Sequence, residues 1–335
     1  MRHLVLLAVL AIWHGTANAE PGSTWKFLDP GTSEFSAAVD STVKDYAQQH
    51  RPTALMVVQE DFVVATSGDI AHKVNVRSTR KSLLDALIGI AVERGQIKLD
   101  NTLEQLKVDD NSPSLTAEEK QATVRDLLMS RSGVYHPAAY ETSDMRATRP
   151  PRGAYRPGTF WYYNNWDFNA LGAIYQKATG QTPFKDFESL IARPIGMEDF
   201  TAFDGMFVGG PSVYPAYVFN MSARDLARFG LLFLNKGRWN GTQVVPSQWV
   251  TDSTRAYSDT NRKDTGYGYL WWVLDPKLWG DGAAFALGYG GQLCVIVPSK
   301  RLVAVQLTEF SVMSSNGIRS RYFLDLVWKI AQLTK

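Results

Sequence analysis

The chain of 335 residues carries one cysteine, Cys294, so no internal disulfide can form. That cysteine lies in an apolar, strand-like run and reads as a core residue rather than a reactive thiol. Histidine is scarce too. Beyond the N-terminal segment only His50, His72 and His136 remain, and no two of them have metal-ligand spacing. With H-E-x-x-H also absent, no metal site is expected. Charge is sparse, with 20% Asp, Glu, Lys and Arg and a net charge of +2; no long basic run exists, which removes the electrostatic case for a nucleic-acid partner. No run of about eighteen apolar residues occurs, so no stable membrane insertion is expected. G-x-S-x-G is missing, which excludes the usual nucleophile elbow. Gly288-x-Gly290-Gly291 lacks the G-x-G-x-x-G spacing and precedes a strand, so nucleotide binding is rejected and no cofactor is expected.

What is present begins with a secretory leader. Met1-Arg2-His3 is a basic start, Leu4 to Trp13 is apolar but too short to span a bilayer, and Ala17-Asn18-Ala19 before Glu20 fits a small-x-small cleavage site. The expectation is a signal peptide over 1–19 and a periplasmic or secreted mature protein. The hydrophobic fraction of 45% is ordinary for a globular chain, and the length allows one large domain or two modest ones. Ten tryptophans and fourteen tyrosines fill a large core, with several left to line a cleft.

Glu34 to Gln49 has helical spacing. Thr53 to Val58 and Phe62 to Thr66 read as a hairpin around Gln59-Glu60-Asp61. Ser78 to Glu93 is a helix, apolar nearly all round and therefore buried, with Gly95 as its stop. Helices follow at Thr123–Met129, Trp166–Ala178, Leu190–Ile195, Ser222–Asn235 and Pro246–Thr254. Tyr267 to Leu274, Ala283 to Leu287, Leu293 to Val297 and Leu302 to Leu307 read as strands, and Ile318 to Leu333 as a closing amphipathic helix. The resulting fold class is α+β. An antiparallel sheet of about five strands comes from both chain ends (about 20–75 and 264–335). Terminal helices flank it, and a mostly helical region (about 76–263) is inserted. The segment 134–157 has little periodicity. Tyr135, His136, Tyr140 and Tyr155 suggest an ordered loop over a cleft between the two parts, with Tyr135 and His136 as substrate-binding candidates.

Ser78-Thr79-Arg80-Lys81 carries the chemistry. Positions i and i+3 share a helix face, so the Lys81 amine reaches the Ser78 hydroxyl. A serine becomes a nucleophile when an adjacent base takes its proton, and a lysine depressed by burial or by another cation can be that base. A capping serine followed by a surface lysine would look the same in sequence. Tyr163-x-Asn165 offers a phenol to shuttle protons and an amide to orient a lysine or a substrate carbonyl; packing and helix capping are the plain alternative.

Taken in order, Ser78-x-x-Lys81, Thr123-Val124-Arg125-Asp126-Leu127-Leu128 with Ser132-Gly133, Pro157-Gly158-Thr159, Tyr163-x-Asn165, Ser222-Ala223-Arg224-Asp225-Leu226-Ala227-Arg228-Phe229-Gly230 and Tyr267-Gly268-Tyr269-x-Trp271-Trp272 resemble the serine β-lactamase-related family. That family includes class C β-lactamases, D,D-peptidases, family VIII esterases and 6-aminohexanoate-dimer hydrolases. The resemblance spans roughly 35–333 and implies a β-lactamase/penicillin-binding-protein-like fold, with residues 20–335 as a single catalytic domain. It implies Ser78 as the acylated nucleophile and Lys81 as its base. Tyr163 would protonate the leaving group and later help to activate water, and Asn165 would position Lys81 or the substrate. The family's K-T-G or H-T-G strand motif falls on Ala286-Leu287-Gly288, with the Tyr289 N–H joining that of Ser78 as the oxyanion hole. Here the glycine is kept but the cation and hydroxyl are gone, which weakens carboxylate recognition at that position. Arg80 is a second departure: turned towards Lys81 it would depress the amine, and turned to solvent it would do nothing. The expected function is an exported serine hydrolase acting on esters or linear amides of small molecules or short peptides. The alternatives are a β-lactamase or D,D-peptidase, and an inactive relative binding cell-wall peptide or a protein partner.

Overall fold

Apolar runs at the two ends of the chain pair into one sheet. In the computed structural model, residues 24–111, 113–309 and 317–333 are described; the leader expected over 1–19 lies outside them. The sheet strands are β1 (Lys26–Phe27), β2 (Ala54–Gln59), β3 (Phe62–Gly68), β4 (Ser258–Asp259), β5 (Thr265–Tyr267), β6 (Trp272–Leu274), β7 (Ala284–Gly288), β8 (Gln292–Val297) and β9 (Leu302–Leu307). Their order is β1-β3-β2-β9-β8-β7-β6-β5-β4. All neighbours are antiparallel except β1 and β3. Strands from the beginning and end of the chain meet at β2 and β9, where Val57 pairs with Ala304.

The sheet has nine strands rather than about five. The run Tyr267–Leu274 is two strands, turned through Leu270 at φ 59° and closed by Gly268 N–H donating to Trp271 O at 2.9 Å. The outer strands β1 and β4 are two residues each, too short to show a period of two.

Helix α1 (Glu34–His50) starts at a capping box in which Ser33 and Ser36 satisfy each other's backbone donors. Helix α2 (Arg80–Glu93) is buried from Arg80 through Ala91. Helices α3 (Asn165–Thr179), α4 (Ala223–Leu234) and α5 (Ser320–Leu333) complete the framework. α1 and α4 lie on opposite faces of the sheet. Tyr46 of α1 donates to Gln306 of β9 at 2.6 Å, whereas α4 presses Gly230 onto Val303 of the same strand. A Cβ at Gly230 would lie 2.5 Å from Val303 Cγ1 and 2.9 Å from Cys294 Sγ. Residues 303 and 306 point to opposite faces because side chains alternate along a strand. Cys294 is thus a core residue, fully buried beneath α4.

The inserted region also holds a small antiparallel sheet of Val74–Asn75, Ala216–Met221 and Gly205–Val208. Within a mostly helical stretch, Ala216–Met221 is one short apolar run whose strand character periodicity alone cannot establish. It matters for the site, because Val76 N–H donates to Phe219 O at 3.0 Å just before Ser78. The helix expected over Leu190–Ile195 is instead a wide-turn segment at Glu188–Ala192. One hydrophobic cluster runs through the large sheet and the inserted helices.

Candidate active site

Ser78 sits in a single 3-10 turn, Arg77–Thr79, and α2 proper begins at Arg80. Arg77 has φ 53°, a left-handed conformation uncommon for a residue with a Cβ. Its N–H donates to Asn75 Oδ1 at 2.9 Å. The sharp turn brings Ser78 to the end of a buried helix. Gly288 of β7 closes against the same turn, since a Cβ there would lie 2.3 Å from Val76 O. The glycine is therefore required by close backbone approach.

Lys81 follows one turn later and is 1% exposed. Its Nζ lies 2.7 Å from Ser78 Oγ and 2.8 Å from Tyr163 Oη. The amine also lies 4.4 Å from the Tyr163 ring centroid and 4.6 Å from that of Phe168. Burial in this aromatic nest, and then the charge of Arg80, hold the Lys81 amine well below its ordinary pKa of 10.5. Tyr163 stacks on Trp272 at 5.3 Å between ring centroids and meets Tyr267 edge-on at 6.0 Å. Burial pushes its phenol up to about 12, against the opposing pull of Ser78, Arg80 and Arg262. The phenol is therefore protonated at neutral pH.

Arg80 does not point to solvent. It is fully buried, donates Nη2 to Asn169 Oδ1 at 3.0 Å and lies 4.2 Å from the Tyr217 ring centroid. No carboxylate among the described residues forms an ion pair with it. A buried cation adjoining the lysine raises the cost of placing a second charge there.

Asn165 begins α3, but the cap is Asn164, whose Oδ1 accepts from Trp166 N–H at 3.2 Å. Asn165 makes no described hydrogen bond to Lys81. Its Nδ2 donates to Ala139 O at 3.3 Å, a carbonyl it shares with Asn169, which in turn holds Arg80. Asn165 Oδ1 is buried with no partner among the described residues.

A cleft of about 1600 Å³ opens over Ser78 and Tyr163, with Leu287, Gly288 and Tyr289 on its β7 side. Tyr289 lies in the turn after Gly288 and its side chain is exposed. Tyr140 and Tyr155 line the cleft, but Tyr135 and His136 do not. Tyr135 is buried behind the wall, edge-on to Tyr155 and Tyr162. His136 is buried with its Nδ1 3.6 Å from Asp110 Oδ2. Both serve the packing of the 134–157 segment. Ala286 is likewise buried and absent from the lining, which takes Leu287 instead. Among the described residues, no group of three His, Cys, Asp or Glu side chains could hold a metal ion.

Three contributors were not identified from sequence. Phe160 and Trp161 build the aromatic wall with Trp272, and of these only Trp272 falls in a motif. Arg262 also lines the cleft, from a polar stretch indistinguishable in sequence from any surface loop.

A family model described as Beta-lactamase matches residues 39–323. An uncharacterized protein of Alkalihalophilus pseudofirmus is 27% identical over 263 residues, covering 69% of this chain and 72% of that relative. Among solved structures, a candidate 6-aminohexanoate-dimer hydrolase from Bacillus anthracis superposes with a TM-score of 0.64 at 22% identity, covering 86% of this chain and 80% of the other. A penicillin-binding protein from Bacillus halodurans gives 0.65 at 15% identity, covering 86% and 98%. EstCE1, a hydrolase with promiscuous acyltransferase activity, gives 0.65 at 16% identity, covering 89% and 100%. At these identities the structural likeness establishes the fold.

Proposed function

We propose that this chain, which belongs to the Beta-lactamase family, is an exported serine hydrolase that forms an acyl-enzyme on Ser78. The observation that carries the reading is the chain of contacts from Ser78 Oγ to Lys81 Nζ at 2.7 Å and on to Tyr163 Oη at 2.8 Å. Environments push the two titrating groups apart, the lysine down and the phenol up. Such a split assigns base and acid. Neutral Lys81 takes the Ser78 proton as Oγ attacks the carbonyl carbon. The oxyanion collects at the Ser78 and Tyr289 N–H groups. Tyr163 gives its proton to the leaving group and is reprotonated from Lys81. A water then repeats the sequence on the acyl-enzyme, its proton passing to the same pair and the acid leaving as Ser78 is restored.

The substrate side points to esters and linear amides of small molecules or short peptides. The β7 edge offers Leu287 to the cleft and keeps Ala286 buried, so neither the cation nor the hydroxyl of the K-T-G arrangement is supplied. At about 1600 Å³ the cleft is also roomier than a typical small-molecule pocket of roughly 300–1,000 Å³, and its aromatic walls suit extended, partly apolar chains.

The test compares p-nitrophenyl butyrate with nitrocefin, for wild type and Ser78→Ala. The expected kcat/KM for the ester exceeds that for nitrocefin by about 100-fold. Ser78→Ala lowers ester turnover by at least ~10³-fold. Nitrocefin turned over as fast as the ester would reverse the substrate ranking. Undiminished ester turnover by Ser78→Ala would remove the nucleophile.

A further inference from the structure

The cleft contains a cation that the β7 edge does not supply. Arg262, between β4 and β5, lines the same cleft as Ser78 and Tyr163. Its guanidinium carbon stands 4.8 Å from the Trp272 ring centroid. Trp272 in turn stacks on Tyr163, so the guanidinium and the phenol that contacts Lys81 share one indole as a neighbour. A guanidinium has five N–H donors. The described hydrogen bonds use one of them, Nη1 donating to Ser320 Oγ at 3.2 Å. No carboxylate among the described residues lies at ion-pair distance from Arg262, whereas Arg149, also in the cleft wall, is taken by Glu141.

An arginine laid on an aromatic face is held in orientation, and its planar fork matches a carboxylate at two points. The position also gives direction. Tyr163 is the acid for the leaving group, so a cation on the Tyr163 side faces the leaving group and not the acyl chain. We propose that Arg262 replaces the cation missing from the β7 edge and selects substrates whose leaving group bears a carboxylate. The substrate class is then an ester or linear amide releasing an alcohol or amine that carries a free acid, as the cleavage of an amide between amino acids does. The inference rests on the acyl-enzyme reading above.

The test uses the full mature chain and two chromogenic butyrate esters, of 3-carboxy-4-nitrophenol and of its carboxyl methyl ester. The readout is the ratio of their kcat/KM values, each normalised to the ester's alkaline hydrolysis rate. Arg262 is exposed, so the preference should be near the low end for a charge-assisted pair, about tenfold. Arg262→Gln should lower the ratio by about tenfold, and Arg262→Lys should retain part of it. Salt at 0.5 M should narrow the ratio in wild type and not in Arg262→Gln. Arg319, at the cleft mouth, is the control cation. An unchanged ratio in Arg262→Gln, or an equal loss in Arg319→Gln, overturns the assignment while Ser78-dependent turnover keeps the hydrolase reading. Turnover of both esters by Ser78→Ala at the wild-type rate overturns both.

Discussion

Lys81→Met is expected to lower kcat/KM for esters by ~10³–10⁴-fold and at the same time to raise the thermal midpoint. The activity loss follows from the 2.7 Å contact with Ser78 Oγ, because the other side chain at that hydroxyl, Tyr163, is held protonated by its raised pKa of about 12. The stability gain follows from the same burial that makes the amine useful. Lys81 is held well below its ordinary 10.5 in the folded protein, so at pH values between the two the unfolded chain binds the extra proton. Stability then rises with pH towards 10.5, and the lysine costs stability at neutral pH. Methionine fills a similar shape without that cost. A rise of about 1.5 °C corresponds to ~1 kcal/mol in a domain of this size, and the pH-dependent part should vanish in the variant. Scanning calorimetry at pH 7 and pH 10 checks both statements. In wild type, kcat/KM should rise with pH through the depressed Lys81 value and then level off, with any alkaline fall deferred to the Tyr163 value of about 12. Arg80→Met keeps the burial and removes the neighbouring charge, so the rising limb should move to higher pH. A limb that stays in place would mean that Arg80 does not act on the amine.

Asp85→Ala should cost about 2–5 kcal/mol of stability. Asp85 lies one turn after Lys81 on the buried α2. Its carboxyl accepts from Ser253 Oγ at 3.0 Å, Trp249 Nε1 at 3.1 Å and Trp271 Nε1 at 3.2 Å. Trp249 keeps a second acceptor in Asp85 O at 3.0 Å, so alanine strands the Ser253 and Trp271 donors. Burial raises the Asp85 carboxyl well above 3.8 despite these bonds. The stability this group contributes is therefore fully present below pH 3.8 and is lost as pH rises through the raised value. Urea unfolding near pH 4, where that contribution is still present, measures the loss, and the cost of Asp85→Ala should shrink at pH 7. A change below about 0.5 kcal/mol would show that the network does not hold α2 in place.

The proposed serine–lysine pair could be read from sequence because its geometry depends only on local spacing. Ser78 and Lys81 are neighbours on one turn, and the reading needed only the helical repeat and the later family motifs in order. The centre of the sheet was legible from its sequence pattern, since β2, β8 and β9 are fully or almost fully buried and so are continuous apolar runs. Contacts set by long-range packing could not be read. Arg80 is a charged residue in a sequence that gives no sign of its burial; Asn169 and Tyr217, which enclose it, lie far along the chain. Tyr135 and His136 looked like cleft residues because they begin the aperiodic segment, yet that segment folds back and buries them while presenting Tyr140 and Tyr155. Arg262 had no sequence signal, because its place depends on a ring contact with Trp272, a residue of β6 ten positions along the chain.

Covalent capture of Ser78 tests the central claim most directly. The purified protein is treated with a fluorophosphonate and examined by intact-protein and peptide mass spectrometry, beside Ser78→Ala. One phosphonyl adduct per chain on the peptide containing Ser78, absent from Ser78→Ala, is the predicted result. No adduct on wild type, or an adduct that persists undiminished in Ser78→Ala, would contradict the account.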